Sequence, residues 1–385
     1  MEQNHELWII GNGFNRALAQ SPQFSSVSSK VLEIASLWEE FSGLISEVKK
    51  KLQSDTGSSY PDEKILEFIF IVLQSLKSKE IFSHIKYQTC FDTLVSQFSS
   101  VITKKLESIA LKFFRVESED FYSSVSALLE EEFLPYWHTR RQKTPTTLIT
   151  TNYDGIVDTI FARNKDGGFG KYGMGDLFAS CDSERHITDC TRAYVDELGR
   201  SSWKGIGYCF SNYSYLQSHR EQFKDKLLHL HGSYKFWKHI DSDAEVKIDK
   251  QALEIFNECL QNDNWYPMVV FGPPEQKLNI INKYKTLQTY LDIFKHILFN
   301  AEEIRQIKLV IWGTKFESDP HLYEVVRKKI EKGNVAEVVI LLSNPYSAEE
   351  FCERLMSGFN RAHVPQCRYV AFDSAHSLLD VIKKI

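Results

Sequence analysis

Six apolar runs punctuate the chain, and each stops abruptly at a small or polar residue. They are LWIIGNGFN at 7–15, TLITTNYD at 147–154, LLHLHGS at 227–233, PMVVFGPP at 267–274, KLVIWGTKF at 308–316 and VVILLSNP at 338–345. Short continuous apolar runs without alternation are the signature of strands covered on both faces, as in a parallel sheet. Runs that end in Gly, Asn, Asp or His deliver polar groups to one common edge, and in an open α/β sheet that edge is where ligands bind.

Between the first and second of these runs the period changes. Val31, Ile34, Leu37, Trp38, Phe41, Leu44, Ile45, Val48 and Leu52 recur at steps of three and four, which predicts an amphipathic helix. Ser54 to Pro61, with Gly57, interrupts it. A second helix, apolar on more than one side, is predicted from Asp62 to about Lys77, with others around 90–113 and 119–134, the last closing at Pro135. The predicted organisation is therefore an α/β domain made of residues 1–20 and 140–385, with a helical insertion over 21–139. The insertion fits a cap on the sheet, a lid or a surface for self-association. A second, loop-rich insert spans about 162–226 and carries DGGFGKYGMGD at 166–176 and SWKGIGYCFSNYSY at 202–215. It is either a closing loop or a surface excursion.

From 267 onward strands and helices alternate regularly. Strands are predicted at 267–271, 307–312, 335–342 and 367–372, with helices at about 280–299, 319–332, 347–357 and from about 375. Asn279, Asp319 and Ser347 are candidate helix starters. Lys328, Lys329 and Lys332 followed by Gly333 fit a basic last turn with a left-handed cap.

At 385 residues and 43% hydrophobic, the chain can bury a large core. A formal charge of -5 and a pI near 6.2 give no global footprint for nucleic acid, and no direct nucleic-acid binding is expected. The seven cysteines form no CxxC pair. Cys181, His186 and Cys190 make a loose trio, weaker than the paired spacing of structural zinc sites, so reduced cysteines and no metal are expected. No apolar segment reaches the roughly 18 residues of a membrane span and no leader-like segment opens the chain, which predicts a soluble cytoplasmic protein.

Each motif admits a chemical and a structural reading. In GNGFN, Gly11 and Gly13 flank Asn12, allowing either a tight strand-to-helix turn or close approach of a phosphate to the helix amides. Asn152 and Asp154 can hold sugar hydroxyls, while Asp154 can equally cap a helix starting near Gly155. In HLHG, His229 reads as a hydrogen-bonded structural residue. His231, where strand gives way to loop, is placed to take a proton from a hydroxyl or a water.

Taken in order, GNGFN, TTNYD, HLHG, VVFG, IWGTK and LLSN resemble the recurring elements of the sirtuin fold. They are most similar to the SIR2-like NAD-hydrolase domains of bacterial anti-phage defence proteins. The resemblance covers short blocks within 6–20, 144–162 and 225–375. It implies a Rossmann-like sheet of the sirtuin type, with Gly11, Asn12, Gly13, Phe14, Asn15 and Thr151 around the NAD diphosphate and ribose. Asn152 and Asp154 would stand at the nicotinamide-bearing ribose as the Asn and Asp of TQNxD, and His231 would be the catalytic histidine. Gly313 and Thr314 would match the GTS element near the phosphates, and Asn344 would bind the adenosine ribose. Asn12 and Asn15 depart from the sirtuin GAGxS, and Lys315 stands where serine is usual. The two paired-cysteine halves of the sirtuin zinc module are missing, which favours hydrolysis of NAD by water over deacylation of a protein. The family context further implies control by self-association or by a separately encoded partner such as a HerA-like ATPase. Rival readings are an NAD or ADP-ribose sensor without turnover, a protein deacylase and a nuclease subunit.

Overall fold

The fold is taken from a computed structural model. It describes residues 3–37, 119–162, 178–180, 207–210, 226–239, 245–248, 265–270, 274–299, 304–333, 335–359, 364–372 and 376–385, with isolated positions between 38 and 118. The helices proposed for 62–77 and 90–113, the loop 166–176 and the Cys181/His186/Cys190 trio lie wholly or almost wholly outside these residues.

A six-stranded sheet forms the centre. It consists of β1 (Gln3–Ile10), β2 (Thr146–Thr150), β5 (Lys226–His229), β9 (Ile304–Trp312), β10 (Val335–Leu341) and β11 (Gln366–Tyr369). Every pairing within it is parallel. The spatial order is β11-β10-β9-β1-β2-β5. Counting these six strands along the chain, that is the 3-2-1-4-5-6 order of dinucleotide-binding sheets, with the reversal of direction between β1 and β9.

Alternation along the strands explains why the apolar runs are continuous. Leu7 and Ile9 face one layer while Trp8 and Ile10 face the other, and all four are buried. The first layer meets α6 (Lys285–Phe299), α7 (Pro320–Glu331) and α8 (Pro345–Met356) through Leu287, Phe294, Leu322, Val326 and Phe351. On the opposite face lie α1 (Gly13–Gln20), α2 (Ser28–Ser36), α3 (Glu119–Glu130), α4 (Phe133–Lys143) and the final helix α9 (Leu378–Lys384). There Trp8, Phe14, Trp137, Phe161 and Trp312 form an aromatic cluster. Phe14 meets Trp312 edge-on at 4.7 Å and Trp8 meets Trp137 at 5.5 Å. The Trp137 indole donates to Phe161 O at 3.0 Å, so its polar atom is satisfied inside the core.

The second sheet departs from the sequence expectation. It comprises β3 (Phe178–Ser180), β4 (Gly207–Phe210), β6 (Gly232–His239), β7 (Glu245–Ile248) and β8 (Trp265–Val269), all antiparallel, in the order β3-β4-β7-β6-β8. The PMVV run belongs here, pairing with β6 rather than extending the parallel sheet. Part of the 162–226 segment, read as loop, supplies β3 and β4. The chain leaves the parallel sheet at β5 and enters β6 through Leu230 and His231 alone. Gly232 makes that junction possible: its φ is +78° and a Cβ there would overlap Met268 O.

Several local expectations also change. The helix drawn from 280 to 299 is two helices, α5 (Pro274–Ile281) and α6, and Asn279 lies inside the first rather than starting one. Pro135 does not close a helix; it sits in the first turn of α4, where its missing N–H has no cost. Asn344, not Ser347, precedes α8 as its cap. Cys352 of α8 and Cys367 of β11 form a disulfide, where reduced cysteines are expected from the sequence. The basic last turn of α7 and the left-handed Gly333 (φ +79°) are as the pattern predicts. Val31, Ile34 and Leu37 are buried in the layer that holds Phe14 and Leu18, so this end of the apolar stripe is used within the chain. Among the described residues no helix is long and apolar enough to cross a membrane.

Candidate functional site

The carboxyl ends of β1, β2, β5 and β9 open into one cleft of about 570 Å³, within the size range of small-molecule sites. It lies where the strand order reverses. Gly11, Asn12, Gly13, Thr151, Asn152, Asp154, His231, Gly313 and Thr314 all line it. The structure thus brings together nine of the twelve residues singled out from the motifs.

The glycine turns have a structural duty of their own. The Gly11 amide donates to Trp312 O at 2.8 Å and the Gly13 amide to Gly313 O at 3.0 Å. A Cβ on Gly13 would lie 2.8 Å from Gly313 Cα, and Gly313 itself has φ +71°. The β1–α1 turn and the loop after β9 therefore touch backbone to backbone, which only glycine permits. The Phe14 amide bonds back to Gly11 O at 3.0 Å. With the Gly13 and Phe14 amides engaged inside the turn, the first turn of α1 presents fewer donors to a phosphate than the motif suggests. Arg16 and Lys315, which also line the cleft, bring positive charge to the same mouth. In the loop that carries Lys315, the non-glycine residue Phe316 is held at φ 57°, a conformation that costs roughly 1–2 kcal/mol and is retained where surrounding structure imposes it.

Three singled-out residues do not line the cleft. Phe14 is wholly buried in the aromatic cluster. Asn344 is exposed, and its Oδ1 accepts from the Tyr346 amide at 2.9 Å as the α8 cap. Asn15 is buried behind the cleft wall, where it links two members of the site. Its Nδ2 donates to Asp154 Oδ2 at 2.7 Å, and its Oδ1 accepts from Asn152 Nδ2 at 3.4 Å. The Asn15 amide thus serves a carboxylate and a second amide at once.

This leaves Asn152 Oδ1 buried and without a hydrogen-bond partner in the cleft wall. Asp154 takes up the capping reading. Its Oδ1 accepts from the Ile156 amide at 2.9 Å, fixing the start of the helical turn, while Oδ2 holds Asn15. Burial pushes its carboxyl up to about 6, against the lowering effect of those two hydrogen bonds.

His231 has company that the one-dimensional pattern does not reveal. Its Nε2 stands 3.1 Å from Asp319 Oδ1, although the ring is not aligned for a hydrogen bond. Lys277 of α5, itself buried, donates to the same oxygen at 3.1 Å. Asp319 is the residue before α7, where the sequence predicts only a helix start. It makes no side-chain cap bond, because its carboxylate turns to His231 and Lys277 instead. Burial alone would raise its pKa, but His231 and Lys277 hold it below the usual carboxylate range. Two residues on, His321 packs with its ring centre 6.1 Å from that of His231. Burial, then the neighbouring His231, push the His321 imidazole down to about 4. Contrary to the sequence reading, which finds no ligand spacing, His231, Asp319 and His321 bring donor atoms within 4.8 Å of one another. His229 is as expected: buried, it contacts Asp158 at 3.2 Å and lines no part of the cleft.

The strand order and the cleft define an α/β protein with a Rossmann-like parallel sheet flanked by helices and a second, antiparallel sheet. No protein-family model and no curated protein matches this chain.

Proposed function

We propose that the cleft binds NAD+ and hydrolyses the bond between nicotinamide and ribose. The observation that carries this reading is positional. A sheet with the strand order of dinucleotide-binding folds gathers Asn152, His231 and the two glycine turns around one cleft at its reversal point. The resemblance of the motif order to sirtuins supports NAD+ as the substrate.

The chemistry asks little of an acid. As the C1–N bond breaks, its electron pair returns to the pyridinium nitrogen and nicotinamide leaves neutral. The oxygen of water bonds to C1, and its surplus proton goes to His231. Asn152, whose Oδ1 has no hydrogen-bond partner among the described residues, orients the ribose or the water. The carboxylate of Asp319, 3.1 Å away, stabilises the imidazolium as it forms. Asp154 and Asn15 keep Asn152 in place. Arg16 and Lys315 face the diphosphate in the role that free helix amides would otherwise play.

Replacement of each polar residue separates the roles. His231→Ala should lower kcat by roughly 10²–10⁴-fold, and Asn152→Ala should lower kcat more than it weakens NAD+ binding measured by calorimetry. A folded His231→Ala protein that releases nicotinamide at the parent rate contradicts the assignment of the base. Binding of NAD+ without turnover by the parent chain would point to a sensor.

A further inference from the structure

We propose that His231, Asp319 and His321 form a site for a divalent transition-metal ion of the zinc class, and that the filled site arrests NAD+ cleavage. The second half rests on the reading of the cleft given above, because the ion would engage both His231 and Asp319, which that reaction uses.

The geometry is set by short, stiff connections. Pro320, between Asp319 and His321, occupies the first position of α7 and fixes its own φ there. His231 is held at the two-residue junction between the sheets, with Val270 N donating to its carbonyl at 2.9 Å. The donor atoms lie within 4.8 Å of one another. A tetrahedral ion with bonds of about 2.0–2.2 Å needs donors roughly 3.3 Å apart, so side-chain adjustments on the order of 1 Å close the site. Two imidazoles and a carboxylate form the ligand set of open zinc sites, with a fourth position for water. They favour zinc, cobalt or nickel over magnesium or calcium.

An independent observation points to a missing ligand. Among the described residues both ring nitrogens of His321 are buried without a hydrogen-bond partner, and His231 Nε2, in a residue only 2% exposed, meets Asp319 Oδ1 at 3.1 Å without hydrogen-bond alignment. Buried polar atoms are normally satisfied, and one ion would satisfy a nitrogen on each ring. The ammonium of Lys277, 3.1 Å from Asp319 Oδ1, opposes a dication by charge. Reversible occupancy, rather than a permanent structural ion, follows from that opposition.

The test uses the full chain, freed of metal by a chelator and titrated with Co2+ and then Zn2+. The expected result is one Co2+ per chain with the visible absorption of a four-coordinate site, displaced by Zn2+. His321→Gln and His231→Gln, each shown to be folded by circular dichroism, should each weaken binding by at least about tenfold, which is the scale of losing even an outer ligand contact. Absence of binding, or binding unchanged in both variants because cysteines hold the ion, overturns the site. With the site established, Zn2+ should suppress nicotinamide release by the parent, and His321→Gln should resist that suppression. Cleavage indifferent to a bound ion would retain the metal site and overturn its inhibitory role. No cleavage in any metal state would count against the NAD+ reading alone, since the cobalt spectrum reports the site independently.

Discussion

Replacing Asp154 by Asn isolates the electrostatic strain in the cleft wall. The Asp154 carboxyl is wholly buried, and its pKa moves from an ordinary 3.8 to about 6. The ionised form is therefore disfavoured in the folded state by about 3 kcal/mol, at roughly 1.4 kcal/mol per pH unit. The sign follows from the direction of the shift. Between about pH 4 and pH 6 the folded chain holds a proton that the unfolded chain has released, so this group's contribution to stability is fully present below 4 and is lost as pH rises through 6. Asn is nearly isosteric, can accept from the Ile156 amide and carries no charge, but its NH2 then faces the Asn15 Nδ2 that donates to the parent carboxylate, a cost that does not depend on pH. The stability of Asp154→Asn relative to the parent should accordingly rise by about 3 kcal/mol between pH 4 and pH 7.5. Urea unfolding of both proteins at the two pH values reads this directly. Other titrating groups, such as Asp158 and Asp319 with lowered pKa values, are common to both and cancel in the comparison. A stability difference that is the same at pH 4 and pH 7.5 would refute the buried-charge reasoning. If Asp154, through Asn15, keeps Asn152 in place as proposed, the variant should also turn over NAD+ more slowly, a trade common at active sites.

Lys277→Met should destabilise the fold by about 3–5 kcal/mol, because Asp319 is left ionised, buried and short of its cation; an unchanged urea midpoint would contradict the pairing. Gly232→Ala should fail to fold or melt far below the parent, since a left-handed φ of +78° adds to a direct overlap with Met268 O. Thermal melting within a degree of the parent would show the sheet junction to be more tolerant than its geometry implies.

The parts of this molecule that were readable from sequence are those with a local cause. Strands covered on both faces carry short continuous apolar runs, and the runs within β1, β2, β5, β9 and β10 stand out in the sequence. PMVV has the same composition, but its partner is β6, and nothing within the run distinguishes an antiparallel neighbour from a parallel one. Gly333 and the lysines before it mark a helix end because a left-handed residue and the helix dipole both act within one turn. The cleft was half readable. Asn152 and His231 stand at strand ends, whereas Asp319 and Lys277 reach the site from the start of α7 and from α5. In Asp319-Pro320 the aspartate looks like an ordinary helix cap, and only the tertiary fold shows its carboxylate turned 3.1 Å from His231. The bonds of Asn15 to Asp154 and Asn152 span more than 130 residues of sequence and have no local signature.

The central claim is tested most directly by incubating the purified chain with NAD+ over a range of protein concentrations and following free nicotinamide, with binding measured in parallel by calorimetry. The account predicts release of nicotinamide with an equal amount of ADP-ribose, abolished in His231→Ala. Absence of both NAD+ binding and nicotinamide release at every concentration would contradict it.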